Sequence, residues 1–137
     1  MAKITGGCQC GAVRYETNAD PLFAAHCQCS DCKKATGSGH ATAAAFPEAA
    51  VAFTGTIKSY SGKADSGGAT TREFCPTCGG RLTFRSANMP GMVLVAAGSM
   101  DDPSAITPTQ AIYGKRRAAW DHFDPKLPIS EGMPPRG

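Results

Sequence analysis

Seven cysteines fall in three clusters, Cys8-Gln9-Cys10, Cys27-Gln28-Cys29-Ser30-Asp31-Cys32 and Cys75-Pro76-Thr77-Cys78-Gly79-Gly80, and none stands alone. Grouped thiols cross-link, exchange electrons or bind a soft metal as thiolates, and the compartment selects among these. The opening Met1-Ala2-Lys3-Ile4-Thr5-Gly6-Gly7 lacks the apolar stretch of a signal peptide, and the longest apolar run, residues 92–97, is far too short to span a bilayer. A cytoplasmic location is therefore expected, with no membrane partner. There thiols stay reduced, and an odd cysteine count agrees with metal binding or catalysis over disulfides.

Cys75-Pro76-Thr77-Cys78-Gly79 has the form of a zinc knuckle. The tight turn aims both sulfurs at one ion, the following glycine relieves strain, and backbone amides can donate to the thiolates. Two ligands do not close a tetrahedron. Cys8 with Cys10 is the cluster that offers two more and no others, so these four are expected to form an all-thiolate structural zinc site. Disulfides or unligated thiols are the alternative reading, opposed by the strain of a bridge within C-x-C and by the reducing compartment.

The middle cluster has three cysteines within six residues, spaced so that a turn can set Cys27, Cys29 and Cys32 around one ion. Three ligands leave a fourth position, where catalytic zinc sites hold water or substrate, and a small thiol is a reasonable occupant. Alternatively His26 or His40 completes a second structural site. His26 can also serve as a core residue or a hydrogen-bond partner to a thiolate. His26, His40 and Asp31 are candidate bases by proximity alone, and His122 is assigned no role. Arg72, Arg81, Lys33 and Lys34 lie near the cysteines in sequence and could recognise carboxylates, or could be solvated surface.

The elements that must position these groups are short. Stretches with β character recur between turn signals at residues 12–17, 22–25, 41–46, 51–54, 57–60, 70–74, 81–84, 92–97 and 110–113, punctuated by 16 glycines and ten prolines, which reads as mainly β. Turns are marked by Ser61-Gly62 and Ser66-Gly67-Gly68. One helical turn is expected over residues 30–35, with Ser30 as its cap. Residues 1–123 are read as a single zinc-binding domain and residues 124–137 as an extended tail, carrying Pro125, Pro128, Pro134 and Pro135.

Four Val, four Leu, five Ile and six Phe among 137 residues fall below the roughly 20% at which a chain starts to lack core material. A net charge of only +3 argues against disorder, so bound metal is the natural supplement to the core. That charge is spread apart from Lys33-Lys34 and Lys115-Arg116-Arg117, and no nucleic-acid partner is expected.

Taken together, Gly6-Gly7-Cys8-Gln9-Cys10-Gly11-Ala12-Val13-Arg14-Tyr15, residues 26–38 from His26-Cys27-Gln28-Cys29 onward, and Arg72-Glu73-Phe74-Cys75-Pro76-Thr77-Cys78-Gly79-Gly80 resemble the glutathione-dependent formaldehyde-activating enzyme family, which includes centromere protein V. Later pieces, Gly98-Ser99-Met100-Asp101-Asp102-Pro103 and residues 112–120, look similar too. The resemblance implies an Mss4-like fold of folded-over antiparallel sheets stapled by zinc. It implies structural zinc at Cys8, Cys10, Cys75 and Cys78, and a second, labile or catalytic zinc at Cys27, Cys29 and Cys32. It also implies carbon-sulfur lyase chemistry on a thiol adduct, such as that of glutathione with formaldehyde or another aldehyde. A non-catalytic, zinc-stabilised interaction module is the rival. A redox protein of the methionine sulfoxide reductase type would need two C-x-x-C pairs for zinc plus separate redox cysteines, and this chain has one isolated pair of that spacing.

Overall fold

The computed structural model describes residues 3–64 and 67–133. Ser66 of the second turn signal, the opening Met1-Ala2, and Pro134 and Pro135 of the tail lie outside the described residues. Ten strands and one helix follow in the order β1 (Ile4–Gly7), β2 (Arg14–Thr17), β3 (Phe23–Cys27), α1 (Ser30–Thr36), β4 (Ala41–Pro47), β5 (Val51–Thr54), β6 (Lys58–Lys63), β7 (Ala69–Phe74), β8 (Arg81–Ser86), β9 (Met92–Ala96) and β10 (Gln110–Ile112). The mainly β expectation holds.

Two sheets form. One has three strands in the order β1-β2-β5, the other seven in the order β10-β3-β4-β9-β8-β7-β6. Pairing is antiparallel except between β10 and β3, which run parallel, so the larger sheet is mixed and not wholly antiparallel as expected. The chain crosses between the sheets after β2, after β4 over the short turn Glu48–Ala50, and after β5.

Alternation decides which faces meet. In β2, Tyr15 and Thr17 point inward while Arg14 and Glu16 point out, and in β9 Val93 and Val95 are the inward pair. Val13, Tyr15 and Val51 from around the smaller sheet pack with Phe46, Leu82, Val93 and Val95 of the larger one. Full burial of each such side chain contributes roughly 1.5–3 kcal/mol. β4 is central and buried on both faces at Ala44, Ala45 and Phe46. Part of the alanine content therefore goes into the core, at Ala24 of β3 and at Ala41, Ala44 and Ala45 of β4. Cys8 and Cys75 belong to this same core cluster.

β1 had no strand signal in the sequence, because Ile4-Thr5-Gly6-Gly7 has two glycines, which are poor strand formers. They are required by close approach: a Cβ on Gly6 would lie 2.3 Å from Tyr15 Oη and 2.5 Å from the Ser99 carbonyl, and one on Gly7 would lie 2.3 Å from the Val13 carbonyl. The helix cap also differs from expectation. Cys29, not Ser30, caps α1, its sulfur accepting from the Cys32 amide at 3.3 Å.

Downstream of β10, residues 128–130 run beside it, with Ala111 N donating to the Pro128 carbonyl and Ser130 N donating to that of Ala111, each at 2.9 Å. No described helix is long and apolar enough to cross a membrane.

Candidate functional site

Two hairpin turns bring the first group of sulfurs together. Cys8 and Cys10 sit on the turn between β1 and β2, and Cys75 and Cys78 on the turn between β7 and β8. The strand register shifts at Glu73/Phe74, a bulge that bends β7 immediately before Cys75. In the second turn, Gly79 takes φ 74° and donates to the Cys75 carbonyl at 2.9 Å, while the amides of Thr77 and Cys78 donate to Cys75 Sγ at 3.3 and 3.5 Å. These are the glycine and the amide donors expected of a knuckle. Val13 N donates likewise to Cys8 Sγ at 3.3 Å.

The four sulfurs lie within 4.8 Å of one another, with Cys8–Cys10 at 3.6 Å and Cys10–Cys75 at 3.7 Å. A disulfide needs about 2.05 Å, whereas sulfurs each about 2.3 Å from a tetrahedral zinc are separated by about 3.8 Å. All seven cysteines are free thiols. The donor set and its spacing fit a tetrahedral thiophilic ion.

Backbone donors favour the anionic form here. Cys78 is lowered to about 6 by the amides of Cys10 and Gly80, and Cys8 is lowered chiefly by the Val13 amide. Cys10 receives the Ala12 amide, yet the adjacent Cys8 thiol and desolvation push it up to about 11.

The second group comes from one segment. Cys27 ends β3, Cys29 caps α1 and Cys32 lies in its first turn, and their sulfurs again fall within 4.8 Å of one another. Cys32 is buried and the other two are half-buried. Hydrogen bonds from the Cys27 and Cys29 thiols bring Cys32 down to about 3, aided by the charges of Arg72 and Arg81. Cys27 is pushed up because its thiol bonds to those of Cys29 and Cys32. Two clusters could therefore hold metal ions, one with four cysteine donors and one with three; neither His26 nor His40 joins a donor group among the described residues.

The two arginines belong to the second site. Arg72 lies over the Phe84 ring at 4.7 Å, and the Nη1 atoms of both Arg72 and Arg81 are buried without a hydrogen-bond partner. Burial lowers the pKa of Arg81. They are thus not the solvated surface that exposed basic residues usually form. Gln28, between Cys27 and Cys29, is fully buried, and both its amide oxygen and nitrogen lack partners. Lys33 is engaged elsewhere, donating to the Arg116 carbonyl at 2.6 Å, and Asp31 is exposed.

A cavity of about 770 Å³ lies between the Cys8 turn and the C-terminal end of α1, lined by Thr36, His40, Thr42, Arg81, Ser99 and Asp101 among others. A smaller one of about 240 Å³, with Tyr60, Arg72 and Phe74, shares Ala35, Gly79 and Arg81 with it. The histidines border this region. His26 Nδ1 meets Thr42 Oγ1 at 2.7 Å and its ring stacks on Phe123 at 4.5 Å, while His40 Nδ1 meets the two Asp121 oxygens at 3.0 and 2.9 Å. His122 is exposed. Its neighbours Asp121 and Phe123 carry the contacts instead, and no sequence spacing announced either of them.

A family model described as glutathione-dependent formaldehyde-activating enzyme matches residues 3–116. A crystal structure of a Rhodobacter sphaeroides protein is similar at a TM-score of 0.58, with 22% identity, covering 76% of this chain and 91% of that one. At that identity the likeness bears on the fold alone. No curated protein matches the chain.

Proposed function

The chain belongs to the glutathione-dependent formaldehyde-activating enzyme family, and from that premise we propose that it joins a small thiol such as glutathione to formaldehyde or another aldehyde, and cleaves the same carbon-sulfur bond in reverse. It does so as a two-zinc protein of a reducing, cytoplasmic compartment. The observation that supports this reading is the division of seven sulfurs into a group of four and a group of three, with Arg81, whose charge acts on Cys32 of the latter, lining a large cavity.

Cys8, Cys10, Cys75 and Cys78 would hold the structural ion, clamping two hairpins from different sheets. Cys27, Cys29 and Cys32 would hold the second. Zinc bound there would supply an open fourth position and a lowered pKa for a thiol that enters it.

Three thiolates confer net negative charge on such a centre, which suits it to holding or releasing a sulfur anion more than to activating water. Arg72 and Arg81 offset that charge, and their unpartnered Nη1 atoms are available to sulfur. In the reaction the thiol sulfur attacks the aldehyde carbon, the C–S bond forms, the C=O π pair moves to oxygen, and the sulfur's proton ends on that oxygen. No oxidant or reductant is needed.

Calorimetric titration of glutathione into the wild type and into Cys29→Ser, each with its zinc content measured, tests the proposal. Loss of one zinc together with loss of thiol binding is expected. Equal zinc in both proteins and no heat with glutathione would leave an interaction module in its place.

A further inference from the structure

Deepening that reading, and resting on it, we propose that His40 is the proton-transferring residue of the thiol-aldehyde reaction, held in its working tautomer by Asp121.

The placement is specific. His40 lies immediately before β4 and lines the 770 Å³ cavity together with Arg81. Its backbone is linked to the helix of the three-cysteine segment: Thr36 Oγ1 donates to the Cys32 carbonyl at 2.8 Å and lies 3.4 Å from the His40 carbonyl. Its ring meets that of His26 edge-on, with centroids 5.0 Å apart, and His26 directly precedes Cys27. One end of the segment that carries Cys27, Cys29 and Cys32 therefore meets this imidazole through the His26 ring, and the other meets the backbone carbonyl of His40 through Thr36. Phe123 closes one side, 4.7 Å from the His40 ring and stacked on that of His26.

The tautomer follows from the partner. An ionised carboxylate only accepts, so His40 Nδ1 carries the proton and donates to Asp121, and in the neutral ring Nε2 is left as the basic nitrogen. Asp121 is 7% exposed, and its approach depends on Gly39, whose Cβ would lie 2.6 Å from Asp121 Cγ. A buried carboxylate given to one imidazole is costly for a merely structural tie. It is the arrangement that orients a base and stabilises the cation formed when that base takes a proton.

The proton balance is simple. As the S–C bond forms, the thiol proton passes to His40 Nε2, and as the C=O π pair settles on oxygen the same proton passes from Nε2 to it. The product is a hydroxyl, and the neutral ring is restored. In the reverse direction Nε2 takes the hydroxyl proton and returns it to the departing sulfur. The charged and titratable groups around the ring are Asp121 from the segment after β10, His26 from β3, and Arg81 and Asp101 across the cavity.

The test compares zinc-loaded wild type, His40→Gln and Asp121→Asn. Exchange between glutathione and its formaldehyde adduct is followed by NMR across pH, beside calorimetric glutathione binding. His40→Gln should slow the catalysed exchange about 10²–10⁴-fold and flatten its dependence on pH. Zinc content should stay the same, with glutathione affinity within about threefold. Asp121→Asn should slow it less. Nitrogen NMR of the wild-type ring should show Nδ1 protonated and Nε2 bare in the neutral form. Unchanged exchange in His40→Gln, or a neutral ring protonated at Nε2, overturns the assignment while leaving the thiol reaction standing. Zinc or glutathione lost in step with the rate assigns His40 a structural role and overturns it too. A wild type that neither binds glutathione nor speeds exchange removes the reaction itself, and this inference with it.

Discussion

The two cysteine clusters are made of the same ligand chemistry and built in opposite ways. The four-sulfur group draws on two hairpin turns separated by more than sixty residues of chain, and its members Cys8 and Cys75 are part of the apolar core. The three-sulfur group comes from a single strand-to-helix segment, with charged and polar side chains around it. A metal in the first closes a long loop and joins elements that would otherwise separate. One in the second closes only a local turn, so little of the fold depends on it and more of its binding energy is available to change with ligand.

The sharpest way to break this contrast is to remove one ligand from each. Structural zinc sites contribute on the order of 10 kcal/mol, against a typical domain stability of about 5–15 kcal/mol. Cys75→Ser is therefore expected to abolish the cooperative thermal transition seen by circular dichroism. Cys29→Ser should keep a transition close to that of the wild type. Equal damage from both, or none from Cys75→Ser, breaks the comparison.

Next in size is the order of metal loss. Under a chelator, zinc release followed with a chromogenic indicator should be biphasic, the fast phase leaving the β spectrum unchanged and the slow one coinciding with unfolding. A single phase would make the two sites equivalent.

Smaller effects sharpen the comparison by loading one region at a time. Gly7→Ala places a Cβ 2.3 Å from the Val13 carbonyl, beside the Cys8 turn, and backbone does not swing away. Overpacking of this kind costs about 1–3 kcal/mol, read from urea midpoints. Gly39→Ala presses on the Asp121 carboxylate, a side chain that can move. It should cost less stability than Gly7→Ala while disturbing the His40 ring resonances, and a larger loss than Gly7→Ala would reverse the ranking.

The smallest effect is electrostatic. Arg14 and Thr5 hydrogen-bond Asp101 and lower it from the ordinary 3.8 to about 2. The folded state thus binds this proton less readily than the unfolded chain. The stabilisation is fully present above the unfolded value and fades as pH falls from 3.8 to about 2. Asp101→Asn should flatten that part of the acid stability curve relative to wild type, by a modest amount because the pair is exposed. An unchanged acid limb would remove the pair from the account of the smaller sheet.

What the sequence disclosed tracks how local each signal is. Every stretch read as β corresponds to a strand, because alternation and turn residues act over a few positions. β1 was hidden because its glycines are dictated by contacts that only folding creates, Gly6 by Tyr15 on the facing strand and by Ser99 far along the chain, and Gly7 by the Val13 carbonyl. The partition of cysteines was legible because C-x-C and C-x-x-C spacings restrict where sulfurs can point. Cys29 as the cap of α1 was not, since a thiol seldom takes the place of a serine hydroxyl. Asp121 was invisible for the same reason as β1. Its meaning lies in a tertiary contact with His40, and Trp120-Asp121-His122-Phe123 draws the eye to His122, the exposed histidine of the three.

Native mass spectrometry of the reduced wild-type protein tests the four-and-three division most directly. The account predicts two zinc ions on the native chain and seven free thiols once acid has removed the metal, falling to one zinc ion in folded Cys29→Ser. A single ion in the wild type, or a mass lowered by the hydrogens lost in disulfide formation, would contradict it.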